Sequence, residues 1–363
     1  MGENYVNHYV NRDILRGWSD DGESVMWCNP VEGKNGRSVS IEEIYTITLP
    51  TFPDVIEAKI NIAGSFFRRM IEALRSGEKK ALDPVDTDQR EPFFYEYLRA
   101  LSCFKLDYAR YSGEKVLPLM NEYKGLSYYT VIEPSLGTLI DHEKTSLNFG
   151  PILSLPMMDL RCVMLRAPEG SSFIVGATPI NVLNPYFEKR FYKVDREAKI
   201  IVYKGTMMVF PISPSLCVCL YDRSVYSFDG DGESIVLSPG DVDVLNKVQI
   251  FSSEIDGGVV YKCSEDYIKK LVSDFPVKPY RTGREWLRAD RYPFWTMLSV
   301  MRVKDEASSA LQKNLKSPMR EFSLIIKKYD EEWERRTGRG FNRDSIIIRY
   351  NFAKKLLSGE CDE

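Results

Sequence analysis

Residues 207–221 read MMVFPISPSLCVCLY and form the most apolar stretch of the chain. Two prolines interrupt the stretch, and it is too short to cross a bilayer as a helix. Its second half, residues 216–221, is a short apolar run bounded by turn residues, which is typical of a strand. Side chains alternate along a strand, so Cys217 and Cys219 share one side, where we expect buried thiols rather than metal ligands.

Runs of the same kind occur between residues 157 and 263. They are separated by Gly, Pro and Asp, and the clearest lie at 161–165, 172–175 and 199–203. This pattern predicts an antiparallel or mixed sheet. After Pro239, apolar residues at helical spacing predict an amphipathic helix that stops at Gly257-Gly258, before a strand at 259–261.

The rest of the chain favours helices. Apolar residues recur at helical spacing between Asp54, a candidate first residue, and Gly77, a candidate stop. Further helices are predicted at 92–104, within 115–139 and at 319–336. We therefore predict an α+β fold in which a helical N-terminal half packs with a central, mostly antiparallel or mixed sheet, followed by a helical, basic C-terminal extension.

The length of 363 residues leaves room for more than one structural unit. We place one α+β region at residues 1–276, mainly helical over 1–156 and β-rich over 157–263. The C-terminal extension then occupies residues 277–363.

The composition is that of a globular protein. Hydrophobic residues make up 44% of the chain and charged residues 28%, far from the composition of disordered chains. The seven cysteines include no Cys-x-x-Cys pair, which argues against a disulfide framework or a zinc cage and favours a reducing compartment. The N-terminal residues are polar and include no apolar export segment. These features predict a cytoplasmic protein without a membrane segment.

The charge is distributed unevenly along the chain. The formal net charge is −3, whereas the segment from Pro276 onward has more Lys and Arg than Asp and Glu. Basic segments attract phosphate backbones. Nucleic acid is therefore a candidate partner of the C-terminal extension, and a protein partner is a further candidate.

Three stretches occur in a characteristic order. They are Asn7-His8-Tyr9-Val10-Asn11 with residues 14–19, then 173–180 (FIVGATPI), then 210–214 (FPISP) followed by 244–249 (VLNKVQ). In order and spacing they resemble the HYVP-motif family of uncharacterised microbial proteins, a domain of unknown function with an N-terminal His-Tyr-Val-Pro signature. The resemblance covers residues 4–271 and implies a shared fold, but the family has no agreed activity.

The chain departs from this family pattern at two places. Asn11 stands where the signature has Pro, and Gly176-Ala177 stand where the family's turn carries Ser-Asp. Any role of that carboxylate in the family cannot be performed by Ala177. If the Asp only forms a turn, Gly176 can adopt the same backbone conformation.

His8 is the first candidate catalytic residue. The chain has two histidines, His8 and His142, so a general base of the imidazole type must be one of them. His8 could transfer a proton or bind a metal ion beside a carboxylate, with Asn7 and Tyr9 as candidate substrate-binding neighbours. The alternative is that His8 and Asn7 hold the N-terminal segment in place by hydrogen bonds.

Glu57 is the second candidate catalytic residue. Asp54, Glu57 and Lys59 have the spacing of a nuclease motif in which two carboxylates hold a divalent metal ion. That chemistry needs a strand, whereas this segment is predicted to be helical, and residues two apart on a helix do not share a face. A second Glu-x-Lys at 197–199 is explained by a hairpin turn. A divalent metal ion remains a candidate cofactor.

Arg90 is the third candidate catalytic residue, with Gln89 as a candidate binding residue. Gln89-Arg90-Glu91-Pro92 opens a predicted helix, and an arginine there could bind a phosphate or carboxylate at the positive helix terminus. The alternative is a capping and packing segment.

Arg336, Arg339 and Arg343 are candidate substrate-binding residues in the C-terminal extension. They are interleaved with Gly and Phe341, which suits a phosphate backbone with one stacked base. The alternative is a charged helix end and a solvated loop, because acidic residues at 330–334 lie just upstream.

Two hypotheses follow from the sequence. In the first, the protein is intracellular and acts on nucleic acid or another phosphodiester, as a toxin or phage-defence effector would. In the second, it is a non-catalytic module that binds a protein or another ligand. Whether the chain is an enzyme stays open at this point.

Overall fold

The computed structural model describes residues 4–8, 10–30, 33–50, 54–77, 160–185, 205–229, 234–252, 258–273 and 298–304. Within these ranges the chain forms helices together with several sheets, which is an α+β fold.

The strands have the following bounds: β1 Asn4–His8, β2 Ser24–Asn29, β3 Lys34–Ser40, β4 Thr46–Pro50, β5 Arg161–Arg166, β6 Val175–Gly176, β7 Asn181–Leu183, β8 Met207–Ser213, β9 Leu216–Tyr221, β10 Tyr226–Phe228, β11 Ser234–Val236, β12 Val259–Tyr261 and β13 Met301–Val303. The helices are α1 Arg12–Leu15, continued by a 3-10 turn at Arg16–Trp18, then α2 Asp54–Arg75, α3 Pro239–Ser252 and α4 Glu265–Ser273.

The central sheet has the strand order β11-β5-β9-β8-β7. β11 runs parallel to β5, and the remaining neighbours are antiparallel, so the sheet is mixed. The apolar stretch 207–221 supplies β8 and β9. Consecutive residues of β9 from Cys217 to Leu220 are fully buried, so both faces of this strand are covered. The two thiols predicted to be buried in the core lie there.

Pro211 lies inside β8, although proline usually marks the end of a strand. The ladder between β8 and β9 shifts register between Pro211 and Ser213. On its other side β8 pairs with β7 only from Met207 to Val209. The missing amide of Pro211 therefore falls at a bulge and beyond the end of β7, where no ladder hydrogen bond needs it.

A second sheet is antiparallel and has the order β3-β2-β12-β6. One of its faces, which includes Val25 and Val260, joins the main hydrophobic core. The opposite face, which includes Val259, packs with Ile268 and Leu271 of α4. The part of this sheet around β12 is therefore buried between two apolar layers, whereas most of β3 is exposed. β1 pairs with β4, and β10 with β13, in separate two-stranded ladders.

Two side-chain amides of α3 bond to the edge of β6 that faces away from β12. Asn246 accepts a hydrogen bond from the amide of Ile174 at 3.0 Å and donates one to the carbonyl of Ser172 at 2.8 Å. Gln249 accepts from the amide of Gly176 and donates to the carbonyl of Pro179, both at 3.0 Å. Both side chains are fully buried, so α3 satisfies backbone groups that a neighbouring strand would otherwise bind.

Several predicted elements coincide with the observed ones. α2 begins at Asp54, and Gly77 follows its end with φ of +89°. β5, β9, α3 and β12 also lie where the sequence indicates. Strands β2 to β4 were not predicted, because the N-terminal section was interpreted as helical after one strand. The strand predicted at 199–203, the helices predicted at 92–104, 115–139 and 319–336, and most of the C-terminal extension lie outside the described residues.

We expect the Gly258→Ala variant to lose about 3 kcal/mol of unfolding free energy. Gly258 has φ of +57°, and a Cβ there would lie 2.8 Å from Cε2 of Trp27 and closer still to the carbonyl oxygen of Cys28. Urea unfolding measures the loss. Gly22→Ala is the matched control, since Gly22 has φ of +78° with none of the described residues within 4 Å of a Cβ, and should lose about 1 kcal/mol. Equal losses in the two variants would show that the Gly258 site is not tightly packed.

Candidate functional site

His8 lies at the end of β1, opposite Thr46 of β4. The turn between β3 and β4 carries Glu42, and Nε2 of His8 lies 3.7 Å from Oε2 of Glu42. The His8 side chain is 12% exposed and that of Glu42 59%. The imidazole is therefore held in a mostly buried position beside a more exposed carboxylate.

Arg12 binds the same carboxylate. Its Nη1 donates to both oxygens of Glu42 at 2.7 Å. This hydrogen bond lowers the pKa of Glu42, although burial acts in the opposite direction. Glu42 is therefore ionised at neutral pH, and its charge is shared between an imidazole and a guanidinium group.

Asn11 determines where α1, the helix that carries Arg12, begins. The side-chain oxygen of Asn11 accepts a hydrogen bond from the amide of Asp13 at 2.9 Å, as an N-cap residue does. A proline side chain at this position could not accept this bond, so Asn11 has a structural role.

The turn that carries Glu42 is held by its neighbours. Ile41 and Ile44 are buried, and Tyr45 has φ of +53°, a left-handed conformation that is rare for an aromatic residue. The hydroxyl of Tyr45 donates to the carbonyl oxygen of Gly258 at 2.9 Å in the interior. Backbone strain of this kind is often found where a functional side chain is held in place. The Glu42 side chain is thus exposed, while the turn that carries it is anchored in the interior.

A second ion cluster adjoins the first on α1. The Asp13 carboxylate is 12% exposed, and its two oxygens accept from Nη1 of Arg16 at 2.6 Å and from Nε of Arg68 at 2.8 Å. Arg68 belongs to α2, so the ion pair connects the two helices. The bond to Asp13 also raises the pKa of Arg68.

Arg75 connects α1 to β8 through hydrogen bonds to backbone carbonyls. Its Nη2 donates to the carbonyl oxygens of Asp13 at 2.9 Å and Ile14 at 3.1 Å, and its Nε donates to the carbonyl of Ile212 on β8 at 2.9 Å. Burial lowers the pKa of Arg75, while nearby Asp13 acts in the opposite direction. Gly17 leaves room for the guanidinium, since a Cβ there would clash with Nη2 of Arg75 and would lie 3.1 Å from its Cζ. The whole helix α1 is therefore locked against α2 and β8.

These contacts define the α1 cluster, which consists of His8, Arg12, Asp13, Arg16, Glu42 and Arg68. Its three arginine side chains are 42% to 56% exposed. Within the described part of the chain, each uses a single nitrogen on its carboxylate partner, which leaves further N–H donors directed elsewhere. Guanidinium groups with spare donors bind phosphates, and an imidazole among them can transfer a proton.

The structure relates the predicted site residues to this cluster as follows. His8 is part of it, and Asn7 lies beside it on β1, opposite Ile47. Glu57 lies in the first turns of α2, about 16 Å along the helix from Arg68. The carboxylate at His8 is Glu42, which was not predicted. Tyr9, Gln89, Arg90, Arg336, Arg339 and Arg343 lie outside the described residues.

No local sequence signal identifies Glu42, Asp13 or Arg68. Glu42 reaches His8 through strand pairing, and Asp13 and Arg68 are 55 positions apart. The sequence offers one hint. Asn11 is a typical N-cap residue, and Asp13 follows it in the first turn of the helix.

The three stretches that occur in a characteristic order in the sequence contact one another. Nε1 of Trp18 donates to the carbonyl oxygen of Phe173 at 2.9 Å, and the amide of Phe173 donates to the carbonyl of Pro214 at 2.7 Å. Asn246 bonds on either side of the same residue. These segments therefore meet around Phe173 in the interior, next to the 3-10 turn that continues α1.

Comparisons with known proteins found no matching family model, no matching curated protein and no matching solved structure. Within the described ranges, no three His, Cys, Asp or Glu side chains are arranged to hold a metal ion. None of the helices in this part of the chain is both long and apolar enough to cross a membrane.

Proposed function

We propose that this chain is an intracellular protein that acts on nucleic acid or another phosphodiester at the α1 cluster. The observation that supports this most directly is the arrangement of His8, Glu42 and Arg12. A mostly buried imidazole lies 3.7 Å from a carboxylate that also binds an arginine. This arrangement combines a proton-transfer group with a cation for a phosphate oxygen.

The chemistry assigns a different task to each group. In phosphodiester hydrolysis a water oxygen forms a bond to phosphorus while the bond from phosphorus to the leaving oxygen breaks. Neutral His8 accepts the proton of the attacking water at Nε2, because Nδ1 is buried, and Glu42, 3.7 Å from Nε2, stabilises the resulting imidazolium. Arg12 is placed to stabilise negative charge that develops on the phosphoryl oxygens. A proton from solvent or from the imidazolium completes the leaving group.

Asp13 acts as a positioning residue in this proposal. It holds Arg16 and Arg68 at bonded distances of 2.6 and 2.8 Å, and these arginines extend the positive surface from α1 to α2. One carboxylate binds two guanidinium groups, so the three side chains together keep a net positive charge. Such pre-organised cations suit a polyanionic strand better than a single small anion.

The family resemblance is part of the same proposal. The mutual contacts around Phe173 support it, because segments that share a sequence pattern also form one structural unit. An intracellular phosphodiester-cleaving activity would suit a toxin or phage-defence effector. The matching readout is growth arrest on expression of the wild-type chain, with normal growth for the His8→Ala variant.

The experiment that tests the proposal uses the purified full-length chain. Single-stranded and duplex DNA, RNA and a chromogenic phosphodiester are incubated with magnesium, manganese or chelator, and products are separated on gels or measured by absorbance. Cleavage of at least one substrate is expected. Binding without cleavage would instead favour a non-catalytic module. The absence of both binding and cleavage would overturn the proposal.

The C-terminal extension is proposed as a second contact with nucleic acid. Replacing Arg336, Arg339 and Arg343 by Ala should reduce the slope of log affinity against log salt by roughly 2 to 3 if each arginine contacts a phosphate. Fluorescence anisotropy with a labelled oligonucleotide at several salt concentrations measures the slope. The control replaces Lys313, Lys316 and Arg320, three basic residues of the same extension. An unchanged slope in the first variant would remove the extension from the binding surface.

A further inference from the structure

We propose that the ligand of the α1 cluster is single-stranded nucleic acid, and that one of its bases stacks on Arg37 beside Trp27. This inference rests on the proposed function and narrows its substrate class. It is carried by a cation–π pair on the second sheet and by the path of β3 toward the cluster.

Arg37 and Trp27 are cross-strand partners on β3 and β2. The guanidinium carbon of Arg37 lies 5.4 Å from the centroid of the Trp27 ring. Trp27 is half-buried and packs against the main core, whereas Arg37 is exposed. Within the described residues, Arg37 has no carboxylate partner, in contrast to Arg12, Arg16 and Arg68.

A guanidinium held over an indole ring can serve as a platform for a base. Arginine planes and aromatic rings are the surfaces on which proteins stack unpaired bases, and such stacking tolerates any base because each has a π face. Trp27 restricts the arginine, so less conformational freedom is lost when a base stacks. Lys34, also exposed, lies at the start of the same strand and adds positive charge.

The platform and the α1 cluster lie on the same side of the sheet. Trp27 and Arg37 share their face with Val25, which packs in one core with Ile14 and Leu15 of α1. β3 continues from Arg37 to Ser40, about 10 Å along the strand, and then enters the turn that carries Glu42.

The inference favours a single strand over a duplex for a physical reason. Bases in a duplex are paired and stacked on each other, so an arginine platform cannot reach their faces. A phosphodiester polymer without bases would gain charge attraction from Arg37 but no stacking. Dependence of affinity on the bases is therefore the property that separates stacking from simple charge attraction.

The test compares strands with and without bases. The affinities of end-labelled oligo(dT), oligo(U) and an abasic oligodeoxynucleotide of equal length are measured by fluorescence anisotropy, and strand integrity is checked on a denaturing gel. The variants are Arg37→Ala and Arg37→Lys, which keeps the charge but removes the planar group. Arg302→Ala is the control, since Arg302 is an exposed arginine on β13 paired with Asp229.

We expect the wild-type chain to bind base-bearing strands more tightly than the abasic strand. Both Arg37 variants should bind base-bearing strands about tenfold more weakly, while Arg37→Lys leaves affinity for the abasic strand unchanged. Arg302→Ala should bind like wild type. A difference between oligo(dT) and oligo(U) would show which sugar the site prefers.

Two results would overturn the stacking inference. If wild-type affinity is equal for base-bearing and abasic strands, or if Arg37→Lys binds like wild type, Arg37 acts at most as a point charge, and the phosphodiester proposal survives without it. If no strand binds and no substrate is cleaved, the proposed function fails as well. Thermal unfolding confirms that the exposed-site variants are folded.

Discussion

The His8→Ala variant is expected to lose phosphodiester cleavage by roughly 10²–10⁴-fold in kcat, the usual contribution of a positioned general base. His8 supplies the imidazole of the α1 cluster, and its Nε2 lies 3.7 Å from Oε2 of Glu42. The arginines that would hold the substrate are untouched by this change. KM should therefore change much less than kcat, because binding and proton transfer depend on different side chains.

The matched control for His8 is His142→Ala, which removes the other histidine of the chain. This variant should retain wild-type kcat. The opposite outcome, with activity lost on replacement of His142 and retained on replacement of His8, would move the catalytic centre away from the α1 cluster. Glu42→Gln adds a graded case, since it keeps the shape of the side chain but removes the charge that stabilises the imidazolium, and an intermediate loss of kcat is expected.

The Asp13→Asn variant is expected to lose about 2 kcal/mol of unfolding free energy, since removing one member of a largely buried ion cluster leaves its partners uncompensated. Asp13 is 12% exposed and binds Arg16 and Arg68. Asparagine has nearly the same shape, but its amide group would face guanidinium donors. The half-buried Arg75 would also lose the favourable field of the carboxylate. Urea unfolding monitored by circular dichroism measures the change.

Asp229→Asn provides the comparison for this prediction. Asp229 binds Arg302 through both oxygens, but the two side chains are 47% and 71% exposed. Exposed ion pairs contribute about 0.5 kcal/mol, so this variant should be almost as stable as wild type. Similar losses in both variants would mean that burial does not strengthen the Asp13 cluster.

Sequence periodicity located the elements whose pattern is strong. α2 was found because its apolar residues recur at helical spacing between Asp54 and Gly77, and β9 because it is a continuous apolar run. β3 was missed because its sequence, KNGRSVS, contains one apolar residue. Its place in the sheet depends on pairing with β2 rather than on its own composition, and tertiary context of this kind is not visible in a local pattern.

The same distinction applies to the candidate site. His8 could be singled out because the chain has two histidines, which is a matter of composition. Glu42 and Arg68 could not, because each meets its partner only after the β1–β4 ladder and the α1–α2 contact have formed. Glu57 was chosen from a sequence motif, whereas the carboxylate at His8 is set by long-range pairing.

The amide side chains of α3 also restrict how this molecule can associate with copies of itself. Asn246 and Gln249 already accept hydrogen bonds from the amides of Ile174 and Gly176, so an incoming strand from another chain could not bond to these amides. Among the described strands, β3 forms the opposite edge from which oligomers or fibrils could extend the second sheet. Lys34 and Arg37 lie on that strand, and their mutual repulsion across two stacked copies opposes such growth.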